Sequence, residues 1–571
     1  MNILLCGFGK CGARMVLDFH CLIYGGKNSY ELRIQKSHTV PGRGLINWLK
    51  DRFDYFSAWG TEVIPEKDRP LLHIGDSDPD NEITAGYLES QAEEKDHNKH
   101  LKRLIENKVE FTNHNEACGQ YHSIGEMVMD NLLKTNEHAQ LQLLQVPIKD
   151  RGCYICCFSL GGGTGCGVSS SLIAHVNELA KEKHRTIFTA GIVILPESDM
   201  EETNYYISAG RFLTKFFAAK YDEQQNSKMN LTVFDSVITL SNSIITRIGQ
   251  DKAEAEAKVN TFASNLVCSL INSSSRFLRS TRNPDPPELK KNLTHLAFFC
   301  YSEVKPESEK DITLTLFEKA ISPITLQGEG TRRSSTFEGI SIDVTDPKYY
   351  PMEEYEKLLM KLKNLKSTGS QFQESLNQLI QEPSQELPLP FRSSRKITVL
   401  YGTPRDSKST SVSQSDLKSL IKIFFPNAEI DFYQTYHPQT HETLTLIPSG
   451  YLSYEILNLV REYLTSVWEW KRDEPEQDQE NFFFRLLKGE EITLDEIKEL
   501  IGDQENFNLK FKDYSRFEEN IKSKFGMTDD EVAKYHLKSE DVCKCCQYVR
   551  DIINFLKKPK VVRPKIEFIR L

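Results

Sequence analysis

The chain has 571 residues, 39% of them hydrophobic and 27% charged, and a net charge of −10. This length is too great for one ordinary core, so about two to four domains are expected. The composition excludes a disordered chain, and no stretch approaches the ~18 uninterrupted apolar residues of a membrane-spanning helix. The negative charge disfavours non-specific nucleic-acid binding by the whole chain.

Cysteine usage indicates the compartment. The chain has 13 cysteines and no secretion signal at its start, MNILLCGFGKCG. This combination predicts free thiols in a reducing, cytoplasmic compartment. Cys6, Cys156, Cys157 and Cys300 lie inside apolar runs, where cysteine acts as a small hydrophobic residue.

The first half of the chain alternates short apolar runs with amphipathic helical patterns. Strands are predicted at 2–8, 70–75, 152–160, 185–196 and 235–241, with helices at 125–136 and 168–183. This alternation is typical of an α/β, Rossmann-like domain with a mainly parallel sheet, here over residues 1–250. In such sheets ligands bind at the carboxyl ends of the strands.

Three further segments follow. Residues 251–277 contain no proline and predict one long central helix that connects the two halves. Residues 278–450 predict a second α+β domain, with a polar, proline-broken loop at 365–395. Its strands are expected at 293–303, 396–403 and 428–436. Residues 451–571 predict a helical C-terminal extension with a basic end.

A glycine-rich turn, GGGTGCG at 161–167, separates a predicted strand from a predicted helix. In such a turn successive backbone N–H groups point into one concavity, and the helix dipole favours an anion there. The hydroxyls of Thr164, Ser169 and Ser170 could add donors. A flexible linker would not be bracketed by a buried strand and an amphipathic helix. The turn therefore predicts a phosphate-binding site.

A second glycine turn, GFGKCG at 7–12, follows the first predicted strand. Alone, this GxGxxG favours a dinucleotide-binding unit, and an NAD(P)-dependent oxidoreductase is one alternative. That unit expects an acidic residue about 20 residues further on. Glu31 is available there, but no clear strand precedes it. Two phosphate turns at two strand ends suit a nucleoside triphosphate better.

The two turns, GKCGARM (9–15) and GGGTGCG (161–167), resemble phosphate loops of the tubulin/FtsZ superfamily. Further segments match that superfamily in order, over about residues 1–290. They are DSDPD (76–80), NEACGQYHSIGE (115–126), FDSVITLSNSII (234–245), VNTFASNLVCSLI (259–271) and NPDPPE (283–288). The resemblance implies a cytoskeletal GTPase that binds GTP or GDP with Mg²⁺.

The resemblance also implies which residues contact the nucleotide. They are Gly9, Lys10, Cys11, Gly12, Ala117, Cys118, Gly119, Gly161, Gly162, Gly163, Thr164, Gly165, Cys166, Gly167, Glu201, Asn242 and Asn260. The carboxylates of Asp76 and Asp78 suit a hydrated Mg²⁺, although an acidic surface turn is the alternative.

Two residues depart from the superfamily pattern. Lys10 stands where tubulins have glutamine, and adds positive charge near the phosphates. Glu256 stands where the superfamily presents an aromatic residue that stacks on the base, so another residue would have to supply the stacking. Guanine preference is therefore less well supported by the sequence than triphosphate binding.

NPDPPE resembles the loop that carries the hydrolytic carboxylate of the superfamily, which implies Glu288 as the catalytic residue, supported by Asp285 and Asn283. A carboxylate can orient water for in-line attack on a γ-phosphate. A helix rises about 1.5 Å per residue, so the central helix would carry this loop tens of ångströms from the glycine turns. In the superfamily the loop completes the site of the next subunit, which implies a head-to-tail homopolymer. A solvent-exposed proline-rich turn is the alternative.

A second function stays open: a nucleotide-gated interaction protein that binds GTP without polymerising. Its helical extension and basic end would then bind a partner. Such an end suits DNA, an anionic membrane or an acidic adaptor, or it could fold back as a strand.

Overall fold

The computed structural model describes the two glycine turns, most of the predicted sheet and the C-terminal helices. The described residues are 3–9, 11–12, 15–16, 72–75, 109–110, 118, 121–135, 137–140, 144, 153–196, 203–225, 233–241, 263, 290, 293, 295–304, 312–321, 360, 389–404, 414–437, 442–467, 485, 491, 493–501 and 514–557. Within them, no helix is long and apolar enough to cross a bilayer.

The strands form one mixed sheet. They are β1 (Ile3–Phe8), β2 (Leu72–Gly75), β3 (Val109–Glu110), β4 (Cys153–Ser159), β5 (Phe188–Leu195), β6 (Ser236–Ser241), β7 (His295–Phe298), β8 (Cys300–Val304), β9 (Lys396–Pro404), β10 (Glu429–His437) and β11 (Glu442–Ser449). Their order is β10-β9-β11-β7-β6-β5-β4-β1-β2-β3, and β8 pairs with β11. From β7 to β3 every pairing is parallel.

The described helices cover this sheet. They are α1 (His122–Thr135), α2 (Glu137–Gln140), α3 (Gly163–Glu182), α4 (Thr203–Gln224), α5 (Ile312–Ala320), α6 (Leu389–Ser393), α7 (Gln414–Phe424), α8 (Tyr454–Val467), α9 (Leu494–Ile501), α10 (Tyr514–Phe525), α11 (Asp529–Ala533) and α12 (Ser539–Lys557). The α/β fold class with a mainly parallel sheet is therefore confirmed.

The sheet continues across the boundary between the first two predicted domains, because β6 pairs directly with β7. The predicted strand 293–303 is two strands, β7 and β8, interrupted at Phe299. Of the predicted central helix 251–277 only Ala263 lies among the described residues, and it is helical. The predicted loop 365–395 contains the short helix α6 near its end. The four domain boundaries stay predictions.

The centre of the sheet is buried on both faces. All eight residues of β5 and six of the seven in β4 are buried, as expected for parallel strands covered by helices. Cys6, Cys156 and Cys300 are fully buried, which confirms their role as small hydrophobic residues. Burial raises the pKa of the Cys156 thiol.

The C-terminal helices pack against α4, which is buried along most of its length. At Gly210 the backbones of α4 and α8 touch, because a Cβ there would stand 2.1 Å from the carbonyl oxygen of Leu459. The rings of Phe217 on α4 and Tyr548 on α12 stack with centroids 5.2 Å apart. The extension predicted from 451 is thus helical where described, and it shares the core of the first domain.

Candidate functional site

The two glycine turns lie side by side at one edge of the sheet. β1 and β4 are parallel neighbours, with Gly7 opposite Cys157, so their carboxyl ends meet at the same edge. A Cβ on Gly9 would stand 3.2 Å from the backbone nitrogen of Gly165. The turns predicted separately from the sequence therefore form one surface.

Backbone contact explains most of these glycines. A Cβ on Gly165 would stand 2.9 Å from the carbonyl oxygen of Phe8, and one on Gly12 would stand 1.9 Å from that of Cys157. Gly9 also has a left-handed φ of 66°, which other residues adopt at a cost. These glycines bring strand ends and helix starts together.

Gly162 is different, because no described residue comes close enough to require a glycine there. It is the N-cap of α3, with φ −85° and ψ 129°, which any residue adopts. The atom nearest to a Cβ at this position is the carbonyl oxygen of Ser159, 3.9 Å away. The α-carbon of Gly162 is therefore uncrowded by the described residues, and a bound group can approach the backbone there.

The start of α3 presents backbone donors to the same space. The first bond within this helix runs from the nitrogen of Cys166 to the carbonyl oxygen of Gly162, 3.0 Å away. The N–H groups before Cys166 have no acceptor inside the helix, and no side chain at Gly162 caps them. Together with the helix dipole, they form an anion-binding surface.

The hydroxyls of Ser169 and Ser170 do not belong to this surface. Both donate to the carbonyl oxygen of Cys166, at 3.0 and 2.9 Å. Ser169 is fully buried, and Ser170 also contacts His122 Nε2 at 3.0 Å. The prediction that they help to bind phosphate is wrong, because the helix and α1 already engage them.

α1 starts beside the turn and crosses α3 at very short distance. A Cβ on Gly125 would stand 2.3 Å from the carbonyl oxygen of Gly163, and one on Gly167 would stand 2.1 Å from that of His122. This crossing places Cys118 near the same edge, where its carbonyl accepts from the nitrogen of Tyr121 at 2.9 Å. Cys118 itself is buried.

A buried charge cluster holds α1 against α4. Glu126 lies 3.0 Å from Arg211 Nη1 and 2.5 Å from Lys215 Nζ. Burial opposes ionisation of the Glu126 carboxyl, but Lys215 and Arg211 outweigh it and lower its pKa to about 2. The Arg211 guanidinium also donates to the carbonyl of Tyr535, and the Tyr535 hydroxyl donates to Asp130 Oδ2 at 2.5 Å. The cluster thus joins α1, α4 and the C-terminal segment.

Replacing Glu126 by glutamine should destabilise the fold by about 3–5 kcal/mol, since it removes the counter-charge of the buried Arg211 and the half-buried Lys215. In the native protein the ionised Glu126 carboxyl has a lowered pKa, so its contribution to the free energy of unfolding is complete above about pH 4.5. That contribution is lost as the pH falls towards about 2. The variant should lose that part of the acid dependence. Urea unfolding midpoints across this pH window measure both effects. Glu540→Gln, which removes the exposed end of the ion pair with Lys544, is the control and should cost under about 1 kcal/mol.

Sequence reasoning missed this cluster. Arg211 and Lys215 lie four residues apart among apolar residues in the middle of α4, and Glu126 lies in a similar position on α1. Charged residues inside apolar helical runs are the signal that could have found them, because buried charges require partners.

The described part of the chain brings together Gly9, Cys11, Gly12, Cys118 and residues 161–167. The other predicted site residues lie outside the described residues. They are Lys10, Asp76, Asp78, Ala117, Gly119, Glu201, Asn242, Asn260, Asn283, Asp285 and Glu288. Glu256 also lies outside them. The strands that precede Lys10, Asp76, Glu201 and Asn242 in the chain are described; they are β1, β2, β5 and β6.

No family model matches this chain, and no curated protein does. Solved structures do match it. CetZ from Methanosaeta thermophila has 12% identity and a TM-score of 0.46, covering 86% of this chain and 97% of its own. A GTPγS-form protofilament of Bacillus thuringiensis TubZ has 13% identity and a TM-score of 0.42, covering 86% and 94%.

An empty FtsZ dimer from M. jannaschii has 12% identity and a TM-score of 0.41, covering 79% of this chain and 88% of its own. At such identities and scores, the likeness carries no argument about binding or activity. CetZ, TubZ and FtsZ are all members of the tubulin/FtsZ superfamily, which is the superfamily that the motifs of this chain resemble.

Proposed function

We propose that this protein binds GTP with Mg²⁺ at the two glycine turns, hydrolyses it, and assembles head-to-tail into filaments. The observation that carries the proposal is the uncrowded backbone at Gly162, at the start of α3 and against the turn at Gly9. A phosphate chain fits such a surface because it needs backbone donors and no intruding side chain.

The strand order supports a full nucleotide instead of an isolated phosphate. Neighbouring strands run β6-β5-β4-β1-β2, all parallel. The metal candidates Asp76 and Asp78 follow β2 in the chain, the glycine turns follow β1 and β4, and Glu201 and Asn242 follow β5 and β6. We propose that the terminal phosphates and Mg²⁺ lie towards β2 and that the nucleoside lies towards β6.

The proposed base contacts are amide side chains. Asn242 and Asn260 each offer a donor and an acceptor, which suits the edge of guanine. Ala117, Cys118 and Gly119 would border the phosphates. Lys10 would supply positive charge at the β1 turn, beside the metal.

The position of Lys290 favours a hydrolytic carboxylate that comes from another subunit. Lys290 lies at the amino ends of the strands, where its Nζ is 3.1 Å from Asp235 Oδ1. Asp235 precedes β6, and its Oδ2 accepts from the backbone nitrogen of Thr189 in β5 at 2.8 Å. At about 3.3 Å per residue, a strand such as β4 separates this edge from the glycine turns by about 20 Å.

Glu288 precedes Lys290 by two residues, and two residues of chain span at most about 7 Å. This position in the chain favours the nucleotide of a neighbouring subunit over that of the same chain. We propose that Glu288 of one subunit orients the attacking water at the nucleotide of the next, with Asp285 and Asn283 supporting the loop. Each subunit then supplies the glycine turns at one end and the carboxylate at the other.

Sedimentation with GTP, compared with GDP, tests the proposal. Polymer should pellet with GTP above a critical protein concentration, and phosphate release per subunit should rise steeply above that same concentration. Tight GTP binding by a chain that stays monomeric at high concentration would support the nucleotide-gated interaction protein instead. Absence of GTP binding would contradict both functions.

A further inference from the structure

We propose that Tyr205 contacts the nucleoside part of the bound nucleotide. This inference rests on the function proposed above and adds a residue that the sequence motifs do not include. Tyr205 belongs to the first turn of α4, which follows β5 and starts at the same edge of the sheet as α1 and α3.

Tyr205 lies directly over the first glycine of the turn. A Cβ on Gly161 would stand 2.6 Å from Cδ1 of the Tyr205 ring and 3.0 Å from its Cβ. Gly161 is therefore glycine because this ring occupies the adjoining space. Gly162, the next residue, has no such crowding among the described residues, and the phosphates are proposed to lie against it.

The two sides of the glycine turn differ in chemistry. On the β1 side, the α-carbon of Gly9 borders Gly165. Phe8, the aromatic residue of that turn, is fully buried. On the β5 side the turn is bordered by Tyr205, which is only half-buried. A ring on this side offers a nucleotide an apolar face and a hydroxyl, which suit a ribose or a base better than a phosphate.

The neighbouring tyrosines among the described residues are too buried to contact a nucleoside. Tyr206 and Tyr121 are 9% and 3% exposed and lie in the core. If the phosphates lie against the start of α3, the nucleoside must extend from the glycine turn either towards β1 or towards β5. The strand order puts the proposed base contacts after β5 and β6, on the side of Tyr205.

Binding of two ligands by the purified full-length chain tests the inference. Tyr205→Leu keeps an apolar side chain over Gly161 but removes the ring. It should weaken GTP binding about tenfold, because contact between a base and an aromatic ring contributes that order of affinity. It should leave the affinity for inorganic tripolyphosphate unchanged. Tyr205→Phe should bind GTP nearly as the unaltered chain does.

Tyr221→Leu is the matched control, since Tyr221 is another half-buried tyrosine near the opposite end of α4. It should bind both ligands normally. Unchanged GTP affinity in Tyr205→Leu, or an equal loss for both ligands, overturns the inference but leaves the proposed function standing. Failure of the unaltered chain to bind either ligand overturns the proposed function as well.

A second measurement applies if Tyr205→Leu does not fold. Tyr205→Trp puts a fluorescent ring at the same position. Its emission, relative to that of the unaltered chain, should change on addition of GTP and stay constant with tripolyphosphate. Identical emission changes with both ligands would overturn the contact with the nucleoside.

Discussion

Gly162→Asp should abolish nucleotide binding, with a loss of affinity above about 100-fold, while leaving the fold intact. A carboxylate at this N-cap would accept from the uncapped N–H groups of α3 and repel the phosphates, since juxtaposed like charges cost several kcal/mol. The free energy of unfolding without nucleotide should stay level or rise by up to about 1 kcal/mol, because aspartate is a good N-cap and restricts the unfolded chain.

Two variants control this result. Gly162→Asn has the shape of aspartate without its charge, so it should retain more GTP affinity than Gly162→Asp. Gly165→Ala should instead destabilise the fold, because its Cβ would stand 2.9 Å from the carbonyl oxygen of Phe8. Titration with GTP and thermal unfolding of each variant separate the two effects. Normal GTP binding by Gly162→Asp would contradict the proposal that the phosphates bind at this turn.

Glu288→Ala should lower the rate of GTP hydrolysis by about 100-fold or more, the usual contribution of a residue that assists proton transfer from the attacking water. Its affinity for GTP should not change, because the proposed site places the nucleotide of each subunit away from its own NPDPPE loop. Polymer formed with GTP should consequently persist, since the nucleotide is no longer converted to GDP.

Glu519→Gln is the matched control, because Glu519 is an exposed carboxylate on α10, away from the proposed contacts. Its hydrolysis rate should equal that of the unaltered chain. If Glu288→Ala hydrolyses GTP at the unaltered rate, a group other than Glu288 orients the attacking water. Weaker GTP binding by Glu288→Ala would place the loop beside the nucleotide of its own chain.

The parallel half of the sheet was predictable from the sequence. β1, β4, β5 and β6 are apolar runs bracketed by helical patterns, and each lies within two or three residues of its predicted bounds. β11 was not predicted. It follows a polar segment and contains Pro448, which argues against a central strand because proline cannot donate to the ladder.

α4 also escaped prediction. It is buried along most of its length, by the sheet on one side and by α8 and α12 on the other. A helix buried on nearly all sides shows no clean division into an apolar and a polar face, and buried polar residues such as Arg211 and Asp222 blur the pattern further. The packing of the C-terminal extension on α4 joins residues more than 300 positions apart, such as Asp222 and Lys544, and no local pattern encodes such a contact.

The glycine turns were predictable because their chemistry is local. The sequence could not distinguish the glycines that allow close backbone contact from Gly162, which no described residue crowds. It also could not show that the hydroxyls of Ser169 and Ser170 are used inside α3. Tyr205 was missed because its contact with Gly161 depends on the position of β5 beside β4. It offers this chain an aromatic ring where Glu256 replaces the one expected from the superfamily.

The central claim is that one active site is built from two subunits, and mixing two inactive variants tests it most directly. Gly162→Asp retains the NPDPPE loop but binds no nucleotide, and Glu288→Ala binds GTP but lacks the carboxylate. Each alone should be inactive. In an equimolar mixture the NPDPPE loop of Gly162→Asp can meet the GTP bound by Glu288→Ala, so hydrolysis should rise clearly above that of either variant alone, with both variants in the pellet. A mixture that co-sediments yet stays as inactive as its components would contradict a shared site.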